Sequence, residues 1–471
     1  MKLLCFLSCF IFLNSVIAQN TFFKNELDSI PADLPLPIIK ISNNPSRGYL
    51  FTSVPYWGKG NFYLVIYNND GRPVFFRETK SICTDFKLHD NGLITYFDYS
   101  TKKFYAMDST MVVADSFWVK NGYETDEHDI KFLKNGNILL IGLDYKLVDM
   151  SKYVDGGDRN ASVVVNVIQE IDPNKNLVFE WKSDEHYKYT DVGKSVNLLD
   201  VSFVHSHINS VDVDEAGNLV VSARNLDEIS KIDRKNGDFI WRFGGKNNQF
   251  KYVNDSLGFF AQHSVSLLQN GNLLIYDNGL DHIPPYSRVI EYKLDEKFKT
   301  ATAIWSYRNN PDIVSNFWGN VQRLDNGNTF ISWGLNKIAA TEVNANKEKV
   351  YEIEFPQDVY SYRIFKVNLN NDRFVSVSQT GEEIKTPRLE QNYPNPFNPV
   401  TSIKYSISKS SFVNLIVYDM LGREVIKLIN EERLPGNYEV KFDGRDLTSG
   451  VYFYFFKTAE YTSVKKLILL K

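Results

Sequence analysis

The feature that most constrains this chain is a turn that keeps returning. An apolar, alternating run, then Asn-Gly-Asn or a close variant, then a second apolar run, occurs at Asn91-Gly92, Asn135-Gly136-Asn137, Ala216-Gly217-Asn218, Asn270-Gly271-Asn272 and Asn326-Gly327-Asn328. Each copy spells two antiparallel strands joined by a tight turn. Counting back seven residues from the first turn position gives Thr84, His128, Asn209, His263 and Gly319, and a degenerate sixth copy puts Arg363 in or beside the same register. The copies lie about 45 to 55 residues apart, with one gap of about 80 that holds an insertion; this is the size of a four-stranded propeller blade plus loops.

The expected architecture is therefore all-β, a six-bladed β-propeller. A repeated sheet that closes into a ring brings the same position of every copy to the same height on the central axis. Two histidines, an asparagine and an arginine then converge. A repeat built only for packing would fill equivalent positions with similar apolar residues, so this polar set points to a site, with His263 the candidate nucleophile. The alternative reading of the same residues is the lining of a wet channel.

Residues 1–18 carry one basic residue, an apolar run and a small-residue ending, the pattern of a secretory signal peptide. No other stretch approaches the roughly 20 apolar residues of a membrane span. Of the three cysteines, Cys5 and Cys9 leave with that signal, so Cys83 stands alone without an intramolecular disulfide. Stability must come from burial, and 43% hydrophobic with 14% aromatic residues supplies a large β-type core. A net charge of −4 gives no reason to expect a nucleic-acid partner.

Residues 19–45 read as an extended lead-in, from which a strand could close the ring. Residues 46–380 read as the propeller, 381–388 as a hydrophilic linker and 389–471 as a small C-terminal β-sandwich with its own core. Of the remaining histidines, His89 and His186 read as solvated and His282 as a loop residue near the channel mouth. Alternation along Val204-His205-Ser-His207-Ile-Asn209 points His205, His207 and Asn209 to one side of a strand.

Two resemblances add to this reading. The segments Gln391-Asn-Tyr-Pro-Asn-Pro-Phe-Asn-Pro399, Tyr418-Asp-Met-Leu-Gly-Arg-Glu and Leu447-Thr-Ser-Gly-Val-Tyr resemble the sorting domain of type IX secretion cargo. That resemblance implies the type IX machinery as a partner and a secreted or cell-surface location. Between about residues 120 and 365, Glu127-His128-Asp129, His207-Ile-Asn209-Ser, Ser222-Ala-Arg224-Asn, Trp241-Arg-Phe-Gly-Gly245, Gln262-His263, Tyr276-Asp-Asn-Gly279 and Ser287-Arg288-Val resemble the bacterial arylsulfate sulfotransferases. Their fold is a six-bladed propeller. They pass a sulfuryl group from an aryl sulfate donor to a phenolic acceptor through a sulfohistidine, with no cofactor and no nucleotide donor.

Carried over, the resemblance makes His263 the nucleophile and gives His128, His207, Asn209 and Arg224 the work of holding the sulfuryl oxygens and handling the phenol's proton. The family's lysine on a later blade has no counterpart in Val321-Gln322-Arg323-Leu, which leaves Arg323 or Arg363 to substitute. The residue types suit the chemistry. Neutral imidazole, with a pKa near 6.5, can approach an anionic ester, and fixed donors stabilise the charge that gathers on the oxygens. Two other readings use the same ring: a propeller that binds a ligand or surface partner without chemistry, and a metal site made by His128, His207 and His263. Arg224 argues against a bound cation, and no metal is expected.

Overall fold

The computed structural model describes residues 30–54, 61–368, 387–407, 411–433, 436–459 and 461–471. The signal peptide and residues 381–386 of the linker lie outside the described residues, and Arg388 already belongs to a strand. Two compact units divide the chain, residues 1–374 and 375–471.

The first unit is a propeller of six blades, each a four-stranded antiparallel sheet at its core. Blade I joins Tyr49–Val54, Phe62–Asn68 and Pro73–Thr79 to the much later strand Ile364–Val367, which is innermost. Blade II runs Cys83–Leu88, Ile94–Asp98, Lys103–Met107 and Val113–Phe117. Blade III runs Glu124–Phe132, Ile138–Val148, Ala161–Ile171 and Leu177–Lys182, and blade IV Ile208–Val213, Leu219–Ala223, Glu228–Ile232 and Phe239–Gly244. Blade V runs Ser264–Leu267, Leu273–Asp277, Arg288–Asp295 and Thr300–Arg308, and blade VI Asn320–Arg323, Thr329–Ser332, Ile338–Val343 and Lys349–Glu354. The six innermost strands touch one another in turn around the axis.

Ring closure differs from the expectation for the lead-in. Its strand, Ile38–Ser42, adds antiparallel to the outer edge of blade VI. Closure falls instead to blade I, where chain from both ends of the unit shares one sheet. Locking the two ends together this way leaves no open sheet edge facing the gap.

In blades IV and V the second strands, Leu219–Ala223 and Leu273–Asp277, open on apolar runs and are buried throughout. They do not alternate because each blade is covered by a neighbour on both faces. Each fully buried Leu or Ile there contributes about 1.5–3 kcal/mol. Nearer the axis the blades are stitched by side chains: Asp129 accepts from Val211 N–H, Asp212 from Leu267 N–H and Gln322 from Lys366 N–H, at 3.1, 3.0 and 2.7 Å. These bonds satisfy backbone donors that the ladders leave over.

The segment between blades III and IV holds the helix Ser183–His186 and the strand Ser202–Val204, which adds parallel to Ala161–Ile171 of blade III. The second unit is a β-sandwich. One sheet orders Arg388–Leu389, Val400–Ile407 and Gly436–Asp443; the other orders Glu424–Arg433, Ser411–Tyr418, Gly450–Lys457 and Thr462–Leu469. Ile403, Leu415, Tyr454, Phe456 and Leu467 fill the space between them.

Candidate active site

Irregular backbone at one register of the inner strands builds the site. In blade II the pairing shifts between Thr84 and Lys87, in blade III residues 126–129 bulge opposite Ile141, and in blade IV Asn209 is the extra residue between Ile208 and Ser210. A bulge leaves a residue outside the ladder and re-aims its side chain. Asp85, His128 and Asn209 all sit at these positions. His207 lies just ahead, in the left-handed region at φ 49°.

The imidazoles converge. The His128 ring centroid is 4.8 Å from that of His207 and 5.4 Å from that of His263. Tyr362 closes the group, 6.1 Å from His128 and 5.5 Å from His263, with Trp318 a further 6.0 Å beyond it. His128, His263 and Tyr362 are buried, while His207 is half-buried.

The three histidines are tuned differently. His263 Nδ1 donates to the Gly319 carbonyl at 2.9 Å, which assigns the proton to Nδ1 and leaves Nε2 a lone pair. Nε2 is buried with no hydrogen-bond partner among the described protein atoms. Burial, with the charges of Arg363 and His128, holds the His263 pKa well below the ordinary value. Burial and the same His128, with Arg224, do likewise for His207. His128 goes the other way: burial opposes its charge, but the carboxylates of Asp126 and Glu127 outweigh burial and raise its pKa. Asp126 Oδ1 accepts both the His128 backbone N–H, at 2.8 Å, and the ring Nδ1–H, at 2.5 Å. A neutral imidazole thus faces one that favours the cation, the arrangement that separates a nucleophile or base from an acid.

Gly319 acts through its backbone. It sits at φ 92°, and a Cβ there would lie 2.5 Å from the Tyr276 ring and 2.8 Å from the Ser332 carbonyl, so only glycine brings its carbonyl to His263.

Arg224 is buried, with Nη1 on Asn225 Oδ1 at 3.0 Å, Nη2 on the Asn316 carbonyl at 3.2 Å and Nε without a partner. Phe317, half exposed, stacks 5.5 Å from its guanidinium carbon. Among the described residues no carboxylate lies within ion-pair distance of Arg224, so its charge is open to an anion. Asn209 donates to the Gln262 carbonyl at 2.7 Å, next to His263, and keeps a buried Oδ1 without a partner. Arg363 is fully engaged at both terminal nitrogens: Nη1 with Asp85 and the His128 carbonyl, Nη2 with the carbonyls of Asn209 and His263.

Other expectations need correction. Arg323 is not in the cluster; it pairs with Glu291 at 2.6 Å and stacks on Trp305, between blades V and VI. Residues 205–207 are not a strand, and His205 turns away to the Lys188 carbonyl and the Tyr189 ring. His89 is half-buried against Phe132 and bonds Thr95, His186 stacks on Trp181, and His282 is buried between Asp277 and Tyr286. None of these reaches the axis cluster. The sequence reading missed Asp126, Phe317, Trp318 and Tyr362. Their signal was adjacency, since each lies within two residues of a register position.

Among the described residues the one group of acidic and histidine side chains close enough to share an ion is Asp126, Glu127 and His128, within 4.8 Å of one another. Asp126 is spent on the imidazole and Glu127 accepts from the Tyr99 hydroxyl at 2.7 Å.

Fold and site together define a six-bladed β-propeller with a buried histidine and arginine centre on its axis. Residues 56–363 match the family model for arylsulfotransferase (ASST), and residues 391–470 that for a secretion system C-terminal sorting domain. The chain belongs to the arylsulfotransferase family, which makes it a sulfotransferase in broad class, and its sorting domain marks it for export to the cell surface or beyond. Among the described residues no helix is long and apolar enough to cross a membrane.

Among solved structures the chain is similar to a protein of unknown function from Bacteroides caccae, at 12% identity and TM-score 0.44, covering 69% of this chain and 100% of that one. It is also similar to PorZ, a surface component of the type-IX secretion system of Porphyromonas gingivalis (11%, TM-score 0.36, 91% of this chain and 59% of that one). A third is virginiamycin B lyase from Staphylococcus aureus (10%, TM-score 0.35, 68% and 87%). Among curated proteins none matches the chain.

Proposed function

We propose that the protein moves a sulfuryl group from a phenolic sulfate ester to a phenolic acceptor through a sulfohistidine on His263, without a nucleotide donor. The observation that carries this is the pairing of a buried, neutral His263 with Nε2 unpartnered and a neighbouring His128 biased toward the cation by Asp126.

In the first half-reaction His263 Nε2 attacks sulfur, an N–S bond forms and the S–O bond to the phenol breaks. The His128 imidazolium gives its Nε2 proton to the leaving phenolate. The Nδ1–H bond to Gly319 stabilises the positive charge that the imidazole acquires. Arg224 and His207 receive the three sulfuryl oxygens in this reading, and the Arg224 charge offsets theirs. In the second half-reaction an acceptor phenol passes its proton to His128, its oxygen attacks sulfur, and His263 leaves neutral. Splitting one transfer into two through a covalent intermediate lowers each barrier. Phe317, Trp318 and Tyr362 supply aromatic surface for the phenyl rings.

The test is incubation with an aryl sulfate alone, then mass mapping. The expected result is an acid-labile gain of one sulfo group on the peptide holding His263, absent in His263→Ala, and no transfer by that variant. Transfer that survives His263→Ala would overturn the assignment. A second reading, a ring that binds aryl sulfates without chemistry, draws on the engagement of Arg363 and Arg323 by protein groups, which leaves Arg224 as the open cation. Tight donor binding with no phenol released across a panel of donors would favour it.

A further inference from the structure

We infer that Arg363 is the positioning residue of this centre: its guanidinium ties the strands that carry His128, Asn209 and His263 to a single point and sets a fixed positive charge behind His263. The inference rests on His263 being the group that takes up the anion.

The geometry is that of a hub. Arg363 immediately precedes the innermost strand of blade I and reaches four other blades. Nη1 lies 3.0 Å from Asp85 Oδ1 of blade II and 2.7 Å from the His128 carbonyl of blade III. Nη2 lies 2.8 Å from the Asn209 carbonyl of blade IV and 3.3 Å from the His263 carbonyl at the start of blade V. Every terminal N–H is thereby spent on protein, so these donors do not grip a substrate oxygen. Only a planar fork with its donors in fixed directions can serve acceptors on four blades at once; an ammonium presents three donors from one point.

The three carbonyls belong to the residues whose side chains converge above. Moving the guanidinium moves all three together, and a displacement of about 1 Å at reacting groups can cost about 100-fold in rate.

The buried charge is balanced along the axis. Asp85 pairs with Arg363 and also with Lys87 at 2.6 Å, and Lys87 pairs with Asp129 at 2.6 Å. Positive and negative groups alternate, which makes the burial tolerable. The titratable and charged groups facing His263 are His128, His207, Tyr362 and Arg363, with Asp126 and Glu127 behind His128 and Arg224 behind His207. The Arg363 cation opposes protonation of His263, keeping the imidazole able to attack.

The test uses the full chain, labelled with 15N-histidine, as Arg363→Lys, Arg363→Gln and Asp85→Asn, with His263→Gln to identify the His263 signals. In the unaltered protein His263 stays the neutral Nδ1–H tautomer well below pH 6.5. Arg363→Lys keeps the charge, so the His263 titration stays in place while kcat falls about 10- to 100-fold through misplacement. Arg363→Gln removes the charge, and the titration moves up by about one pH unit. Asp85→Asn bares the charge and moves it down, which serves as the readout should either arginine variant fail to fold. An unmoved titration in Arg363→Gln or Asp85→Asn, or an unchanged kcat in Arg363→Lys, overturns the inference. Because the spectra need no turnover, a protein that titrates as expected yet transfers nothing sinks the sulfotransfer reading and leaves the hub standing.

Discussion

Replacing Asp126 by Asn isolates the acid half of the mechanism. The carboxylate accepts two bonds from His128, one from the backbone and one from the ring, and both survive in form because Asn offers an oxygen of the same shape. What is lost is charge. A hydrogen bond to a charged partner contributes about 1.5–3 kcal/mol, which at 1.36 kcal/mol per unit is a fall of about one to two units in the His128 pKa. On the alkaline side of the His128 titration the imidazolium population then drops about 10- to 100-fold. The assay is kcat/KM against pH for phenyl sulfate and nitrophenyl sulfate. The expected result is an alkaline limb shifted down by about one to two units with phenyl sulfate. The nitrophenyl ester should be nearly unaffected, since nitrophenolate leaves without needing a proton. Equal losses on both donors, or an unmoved limb, would refute the role given to Asp126 and His128.

Further outcomes follow from other parts of the molecule. His263 has its folded pKa depressed below the unfolded value near 6.5, so its share of stability is present above that pH and is lost as pH falls toward the folded value. His263→Gln should therefore show a shallower loss of Tm between pH 6.5 and 4.5 than the unaltered protein, and an identical slope would contradict the burial argument. Asp227 is buried, and burial pushes its carboxyl up to about 6. The charged form thus costs stability at higher pH, while Asn would keep the bond to Ala261 N–H and suit the left-handed φ of 52°. Asp227→Asn should gain about 3 kcal/mol at pH 8 and little at pH 4, measured by denaturant melts at both; no difference between the two would be the refuting result. Ending the chain after residue 380 should leave the melting and transferase activity of the first unit intact while abolishing export, read as activity retained inside the cell. A drop in Tm on truncation would show that the two units depend on one another.

The sequence by itself determined the repeat, and with it the all-β ring and the register. Asn-Gly turns need left-handed backbone, apolar runs need burial, and six copies of one hairpin leave few ways to bury them except around an axis. That is why His128, Asn209, His263 and Arg363 were legible as a set. Their separate roles were not. Whether His263 carries its proton on Nδ1 is decided by the carbonyl of Gly319, a residue 56 positions away whose lack of a side chain made it look inert. Whether Arg363 faces a substrate or the protein is decided by four acceptors on four blades, and whether Arg323 reaches the axis by Glu291 on the neighbouring blade. Alternation failed for His205 because the strand breaks at His207, and lone histidines such as His282 were absorbed by nearby carboxylates and rings. Side-chain direction, tautomer and pKa depend on groups brought together by blade closure, and no local pattern along the chain encodes that meeting.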